Sequence, residues 1–225
     1  MLLLAFDTAT PAVTAALYDT ERSAVLATRD QIDARRHGEL LLPAIDAVLR
    51  AADVPKEKVS AIVVGTGPGP YTGLRVGLAT AAALGHALGI PVHGVCTLDG
   101  IAHAARSAGL AGLPFVAATD ARRKEVYWAA YDAEGCRTDG PNVDRPAEIA
   151  ERVSGLAAVG AGAVLYPDAF AQPGAGMPEY QSAAALAAYA AQELAAGRGL
   201  LEPVPLYLRR PDAEVPKNYK TVLPA

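Results

Sequence analysis

A run of glycines and prolines connects a predicted buried strand to a predicted helix, and its residue types suit the binding of an anion. The run extends from Gly65 to Gly77 and reads GTGPGPYTGLRVG. Backbone N–H groups in such a turn, together with the positive end of the following helix, can hold a phosphate or a carboxylate. The run has neither the Gly-Lys-Ser/Thr ending of a P-loop nor the GxGxxG spacing of a dinucleotide-binding fold. A tight strand-to-helix turn that needs positive φ is therefore the alternative.

The turn DTAT at residues 7–10 follows the first predicted strand and adds a carboxylate and two small hydroxyl groups. Such groups can approach a phosphate or a hydrated Mg²⁺ ion. We therefore take Asp7, Thr8, Gly67 and Gly69 as candidate contacts to an anion or a nucleotide. A purely structural role in the turn is the alternative for each of them.

A second strand that ends in aspartate, Phe115 to Asp120, repeats the first. Asp7 and Asp120 each precede a Tyr-Asp pair by eleven and twelve residues. This spacing indicates an internal duplication, with two unrelated hairpins as the alternative. The turn after Asp120 reads ARRKE and contains no glycine, which disfavours close approach of a phosphate to its backbone. Arg122 to Lys124 form the clearest basic cluster of the chain, and a solvated hairpin tip is their default interpretation.

Composition and charge limit the classes of protein that this sequence can encode. The 225 residues are 52% hydrophobic and 20% charged, with a formal net charge of -4. These values exclude a disordered chain and give no general electrostatic basis for binding nucleic acid or an anionic membrane. Cys96 and Cys136 lie forty positions apart, which is neither a disulfide framework nor a CxxC pair and favours a reducing cytoplasm. The apolar stretch Met1 to Phe6 fits neither a signal peptide nor a membrane span.

Hydrophobic periodicity predicts the order βββαβαβα for the first half of the chain. Its helices are expected at His37 to Ala52, Leu74 to Leu88 and Leu98 to Ala108. A Gly/Pro linker follows at Gly109 to Pro114, and the second half resembles a reduced copy of the first. Its elements are expected as a helix near Ala147 to Val153, a strand at Leu156 to Val159 and a helix at Ser182 to Ala196.

The predicted elements define an α/β protein of two lobes, residues 1–108 and 109–225. Each lobe begins with a βββ meander and continues with α/β units, and the second lobe is reduced. This predicted order resembles the architecture of actin, hexokinase and Hsp70, the ASKHA fold, in which a nucleotide lies between the lobes. The architecture by itself gives no function.

Several segments resemble one protein family closely. Residues 67–79 read GPGPYTGLRVGLA and resemble the GPGSFTGLRIGLA signature of the TsaB (YeaZ) family of bacterial tRNA threonylcarbamoyladenosine biosynthesis proteins. Further agreement lies at residues 4–9 (LAFDTA), 37–43 (HGELLLP), 90–95 (IPVHGV) and 205–209 (PLYLR). The departures are mild: Pro70-Tyr71 stand where Ser-Phe is usual, and Cys96-Thr97 stand where Ser-Ser or Thr-Ser is usual.

The resemblance implies a shortened relative of TsaD, the subunit that transfers the threonylcarbamoyl group. The TsaD pattern has two histidines one helical turn apart, which suit a divalent metal. Thr97 and Ile101 occupy those positions here, so no metal site is expected. His93 and His103 are ten residues apart, which does not place both on one helical face. No Ser-His-Asp or Cys-His pattern is found, and no catalytic residue is assigned.

The resemblance therefore implies a non-catalytic, cytoplasmic scaffold that binds and activates a TsaD-like transferase. The expected further partners are a TsaE-like accessory ATPase, tRNA through the complex, and a second copy when the chain is alone. ATP or ADP at the junction with the transferase is the one cofactor that the resemblance allows. Arg122 to Lys124 are candidates for contact with tRNA or an acidic face of a partner. The alternative function is a free-standing enzyme of the same fold, either a small-molecule kinase or a peptidase.

The partner surface is expected on the helices predicted at His37 to Ala52 and Leu74 to Leu88. They carry more apolar residues than one narrow core stripe requires, so part of that apolar surface should be exposed. The candidate interface residues are Leu40, Leu41, Ala44, Ala47, Val48, Leu74, Leu78, Ala81 and Ala82.

Overall fold

The computed structural model describes residues 1–171 and 174–209, which contain two mixed β-sheets. In the first sheet, β1 (Leu2–Asp7), β2 (Ala12–Asp19) and β3 (Ala24–Ile32) form an antiparallel meander. Strands β4 (Ala61–Gly65) and β5 (Val92–Val95) extend the sheet parallel to β1, giving the order β3-β2-β1-β4-β5. The predicted meander followed by α/β units is confirmed.

Helices cover both faces of this sheet, so its central strands are apolar on both sides. Helices α1 (His37–Ala51) and α2 (Tyr71–Leu88) pack on the face that carries Leu4 and Phe6. Their neighbours Leu3 and Ala5 point to the opposite face, as the period of a strand requires. That face is covered by the last helix of the described chain.

The second sheet repeats the plan of the first with fewer elements. Strand β6 (Phe115–Asp120) pairs antiparallel with β7 (Val126–Tyr131), which pairs with β8 (Arg137–Asp144). Strand β9 (Ala157–Val159) lies parallel to β6, as β4 lies parallel to β1. The two-lobed fold class with a reduced second copy is thus confirmed.

The remaining helices join or cover the two sheets. Helix α3 (Thr97–Ala105) packs between α6 (Ala183–Ala195) and the second sheet, and α6 returns to the first sheet. Two short helices, α4 (Pro146–Ile149) and α5 (Ala161–Leu165), flank β9. The division into residues 1–108 and 109–225 stays a prediction, since α6 belongs to the second half in sequence but packs on the first sheet.

The helix predicted near Ala147 to Val153 is shorter in the structure and ends at Ile149. Two other helix boundaries differ from the prediction for local reasons. Helix α2 begins three residues before the predicted Leu74, because Pro70 with φ -58 leads directly into the first turn. Helix α3 ends at Ala105 and continues as a π-helical turn, Arg106–Leu110, in which Gly109 has φ 129. In the described residues no helix is both long enough and apolar enough to cross a membrane.

Candidate functional site

The glycine-rich run packs its backbone directly against the turn at residues 7–10. A Cβ atom added to Gly69 would lie 2.0 Å from the carbonyl oxygen of Ala9. One added to Gly73 would lie 2.6 Å from the carbonyl oxygen of Thr8, and one on Gly77 would lie 2.7 Å from the Thr8 Oγ1 atom. Gly69 and Gly73 are therefore required because two backbones touch, and Gly77 because the Thr8 side chain lies against it. These contacts fix the start of α2.

Hydrogen bonds from Thr8 close the same junction. Its hydroxyl donates to the carbonyl oxygen of Gly73 at 2.7 Å and accepts the N–H of Gly77 at 3.0 Å. Both bonds lie in the buried interior. The Thr8 hydroxyl, which the sequence predicts as a candidate phosphate contact, thus holds the start of α2 against the end of β1.

Asp7 lies at the centre of this junction and is completely buried. Its carboxylate accepts the N–H of Ala9 at 2.7 Å and the hydroxyl of Thr97 at 2.8 Å. The Thr97 hydroxyl also accepts the N–H of Gly67, which has a φ of 88. Burial raises the pKa of Asp7 to about 6, and the hydrogen bonds from Ala9 and Thr97 limit the rise.

Substituting Asp7 should remove a specific pH dependence of stability. Because its pKa rises from 3.8 to about 6 on folding, the folded state holds the proton more tightly than the unfolded chain. The free energy of unfolding should therefore fall by about 3 kcal/mol as the pH rises from about 3 to about 7. Asp7→Asn stays neutral and keeps an acceptor oxygen for Ala9, so it should lack this fall. Urea unfolding of both proteins across this range measures the difference, and a constant difference at every pH would contradict the assignment.

A cleft of about 810 Å³ opens between the two lobes beside this junction. The first lobe contributes Thr8, Thr10, Arg35 and His37 to its lining. The second lobe contributes Asp120, Arg122, Val164, Leu165 and Tyr180.

The polar groups of the first hairpin are already engaged within the protein. The Thr10 hydroxyl donates to the side-chain oxygen of Gln181, and His37 Nε2 donates to the carbonyl oxygen of Thr10 at 2.8 Å. The N–H groups of Ala9, Gly67 and Gly77 are also taken by side chains. This turn therefore leaves few donors for a phosphate in the cleft. The nucleotide contacts expected at Asp7, Thr8, Gly67 and Gly69 stay predictions.

The positions at which the resemblance excludes a metal site hold structural side chains. Thr97 bonds to Asp7, and Ile101 is buried in the core that α3 shares with the second sheet. His103 packs edge-on against Tyr189, with ring centroids 6.2 Å apart. Within residues 1–171 and 174–209, no three His, Cys, Asp or Glu side chains are grouped to hold a metal ion. That the chain needs no metal stays a prediction.

Six of the nine candidate interface residues are side chains of the core. They face the first sheet because α1 and α2 are amphipathic, and this corrects their expected exposure. The six are Leu41, Ala44, Val48, Leu74, Leu78 and Ala81. Leu40 is half-buried, whereas Ala47 and Ala82 are exposed. Which residues contact a partner stays a prediction, but of the nine candidates an exposed face of these helices can use only Leu40, Ala47 and Ala82.

The outward surface of α1 and α2, here called the α1–α2 face, carries unusually little charge on its α2 side. Surface helices normally expose charged residues on their outer side. Arg75 is the single Asp, Glu, Lys or Arg residue among the 18 of α2. On α1 the exposed apolar residues Leu42, Pro43 and Ala47 lie among charged ones. The exposed residues of α2 are Tyr71, Thr72, Arg75, Ala79, Ala82, Ala83, His86 and Ala87.

An exposed aromatic cluster ends the α1–α2 face at the start of α2. The rings of Tyr71 and Tyr207 stack with centroids 5.4 Å apart, although they are 52% and 43% exposed. The Arg75 guanidinium lies 3.7 Å from the centroid of the Tyr71 ring, and its Nε atom donates to the Tyr207 hydroxyl at 2.8 Å. Sequence reasoning missed this cluster, because no local spacing connects Tyr71 with a residue so far along the chain.

A family model and several known proteins match most of this chain. A family model described as "TsaD: tRNA N6-adenosine threonylcarbamoyltransferase" matches residues 29–197. The TsaB protein of Escherichia coli, named a tRNA threonylcarbamoyladenosine biosynthesis protein, is 32% identical over 75% of this chain and 74% of its own. An uncharacterized protein of Mycobacterium tuberculosis is 46% identical over 94% of this chain and 93% of its own.

Solved structures extend the likeness to three dimensions. YeaZ from Pseudomonas aeruginosa matches with a TM-score of 0.77 and 29% identity, covering 92% of this chain and 99% of that one. A second structure, described as an uncharacterized protein with similarity to peptidase YEAZ from the same organism, matches with a TM-score of 0.78 and 30% identity, with the same coverage.

Proposed function

Because the chain belongs to the TsaB (YeaZ) family of tRNA threonylcarbamoyladenosine biosynthesis proteins, we propose that it is a non-catalytic scaffold that binds and activates a TsaD-like transferase. The observation that carries the proposal is that the glycine-rich run has one set of residues that packs inward and another that is exposed. Its glycines pack inward and fix α2, whereas Tyr71 and Arg75 of the same run are exposed beside an almost uncharged helix face.

The α1–α2 face has the composition of a protein interface. Small side chains such as Ala79, Ala82 and Ala83 let a helix of the partner approach closely. Tyrosine and arginine are the residue types that most often anchor an interface, and Tyr71 and Arg75 are already ordered by their mutual contact. This order lowers the entropy that binding would otherwise cost.

A TsaD-like partner fits this face because of shared architecture. The TsaD family model matches residues 29–197, which include both α1 and α2, so such a partner has helices of the same kind. Pairing of equivalent helices would give a near-twofold arrangement. A second copy of this chain can occupy the face in the same way, which supports a homodimer when the chain is alone.

The chemistry of transfer belongs to the partner in this proposal. The polar groups of the Asp7 turn are bonded to α2 and to Thr97, and the hairpin at Asp120 to Glu125 lacks a glycine. ATP or ADP would lie at the junction with the transferase. A TsaE-like accessory ATPase and tRNA would join through the assembled complex.

Reconstitution tests the scaffold role directly. The chain, a TsaD-like transferase and an accessory ATPase should form threonylcarbamoyladenosine in tRNA from a threonylcarbamoyl donor, and omission of the chain should reduce the product to background. The chain without the transferase should form none. Transfer by the chain alone, or hydrolysis of ATP or a peptide by it, would instead favour the free-standing enzyme.

A further inference from the structure

The β6–β7 hairpin tip has an unusual backbone. Arg122, Arg123 and Lys124 have φ values of 63, 55 and 62, so three successive residues with side chains adopt the left-handed region. This region is unfavourable for residues other than glycine, and it is rarely occupied by consecutive ones. All three side chains are exposed.

Contacts from two directions hold this strained tip. The carboxylate of Asp120 accepts the N–H of Arg122 at 2.7 Å, and the Arg122 carbonyl oxygen accepts the N–H of Glu125 at 3.0 Å. Arg209, near the end of the described chain, donates to the Arg122 carbonyl oxygen at 3.2 Å and forms an ion pair with Glu125. The tip is therefore ordered before any ligand binds.

The charge of the tip is opposite to that of the whole chain. Three adjacent cations stand on a protein whose formal net charge is -4. The nearest carboxylates are engaged, since Asp120 pairs with Arg122 at 3.4 Å and Glu125 pairs with Arg209. Across the same cleft, the first lobe contributes a further exposed cation, Arg35. Glu179 also lines the cleft, so the excess positive charge belongs to the tip itself, where Arg123 and Lys124 add to the pair of Arg122 with Asp120.

A strained backbone conformation that is retained at a charged hairpin tip indicates that the charged side chains have a function. Glycine would adopt this turn without strain, but it would supply no charge. Unfavourable backbone conformations persist where the surrounding structure fixes them and are concentrated at binding sites. Asp120 and Arg209 provide that fixation here.

We propose that the tip formed by Arg122, Arg123 and Lys124 binds the sugar-phosphate backbone of RNA, which under the proposed function is the tRNA that the complex modifies. Neighbouring cations suit a polymer that carries a phosphate on every residue. Arginine binds phosphate through two parallel hydrogen bonds, and lysine binds it as a point charge. Such contacts add affinity and position the RNA but do not read its sequence.

The test replaces all three cations with Arg122→Gln, Arg123→Gln and Lys124→Gln in the reconstituted complex. The probe is an unmodified tRNA transcript, whose affinity is measured at several salt concentrations. We expect the affinity to fall about tenfold near 0.1 M salt, and the slope of log K against log salt to become shallower by about 2. The tRNA concentration that gives half-maximal modification should rise by about the same factor.

Two further variants separate binding from folding. The matched control is Lys56→Gln with Lys58→Gln, two exposed lysines in the turn that precedes β4; their loss should leave tRNA affinity unchanged. Lys124→Gly removes one cation and relieves one left-handed residue, so it should weaken tRNA binding without lowering the melting temperature.

Unchanged tRNA affinity in the triple variant would overturn this inference while leaving the scaffold role intact, provided that the wild-type complex still modifies tRNA. Loss of transferase binding with unchanged tRNA affinity would assign the tip to an acidic protein surface instead. A wild-type chain that fails to stimulate the transferase would refute the proposed function itself.

Discussion

Gly69→Ala should lower the free energy of unfolding by about 3 kcal/mol, because the added methyl group has no space. Its carbon would lie 2.0 Å from the carbonyl oxygen of Ala9 and 2.8 Å from the carbonyl carbon. Both atoms belong to the backbone, so no side chain can rotate away. Relief requires a shift of the β1–β2 turn or of the first turn of α2. Chemical denaturation measures the loss, and a weaker complex with the transferase should accompany it.

Gly38→Ala is the matched control for this substitution. Gly38 lies in the first turn of α1, and an added Cβ atom would meet nothing within 4 Å. Alanine there should leave stability unchanged or raise it by about 0.5–1 kcal/mol, since it reduces the entropy of the unfolded chain. If Gly69→Ala and Gly38→Ala unfold at the same denaturant concentration, the close packing of the two backbones is not what the glycine-rich run provides.

The sequence was sufficient for the fold because its strongest signals are local. Strands such as β4 are continuous apolar runs, and α1 has regular helical spacing, so both were predicted within a few residues. The repeat of Asp7 in Asp120 indicated the second copy, and the pairing of β6 with β7 and β9 confirms it. Strand β8 carries no such signal, because its sequence RTDGPNVD has no alternation of apolar residues.

The candidate site was only partly predictable, because its contacts are not local. Spacing placed the glycine-rich run between β4 and α2, but the inward or outward direction of each residue depends on how α2 meets the sheet. The sequence predicts Leu78 on a partly exposed apolar surface, whereas the structure buries it in the core. The stacking of Tyr71 on Tyr207 joins residues that are far apart in the sequence, and no sequence pattern predicts such a pair. The left-handed backbone at Arg122 could not be predicted either, since arginine and lysine disfavour that conformation.

Ala82→Arg should abolish tight binding of a TsaD-like transferase without weakening the fold. Ala82 is exposed on the α1–α2 face, and arginine is nearly as good a helix former as alanine. A long cation there would hold the two helices apart and bury a charge without a partner. We expect the dissociation constant to rise about a hundredfold, the usual consequence of an unpaired charge in an interface. Thermal unfolding of the monomeric chain, measured at concentrations too low for self-association, should be unaffected.

The most direct test of the docking claim is therefore the dissociation constant of the chain–transferase complex, measured by calorimetry for a matched pair of variants. Ala195→Arg serves as the control, because Ala195 is an exposed alanine at the end of α6, on the opposite side of the first sheet. The account predicts that Ala82→Arg loses about a hundredfold in affinity and that Ala195→Arg binds like the wild type. Equal affinities for the two variants, or a loss confined to Ala195→Arg, would contradict docking through the α1–α2 face.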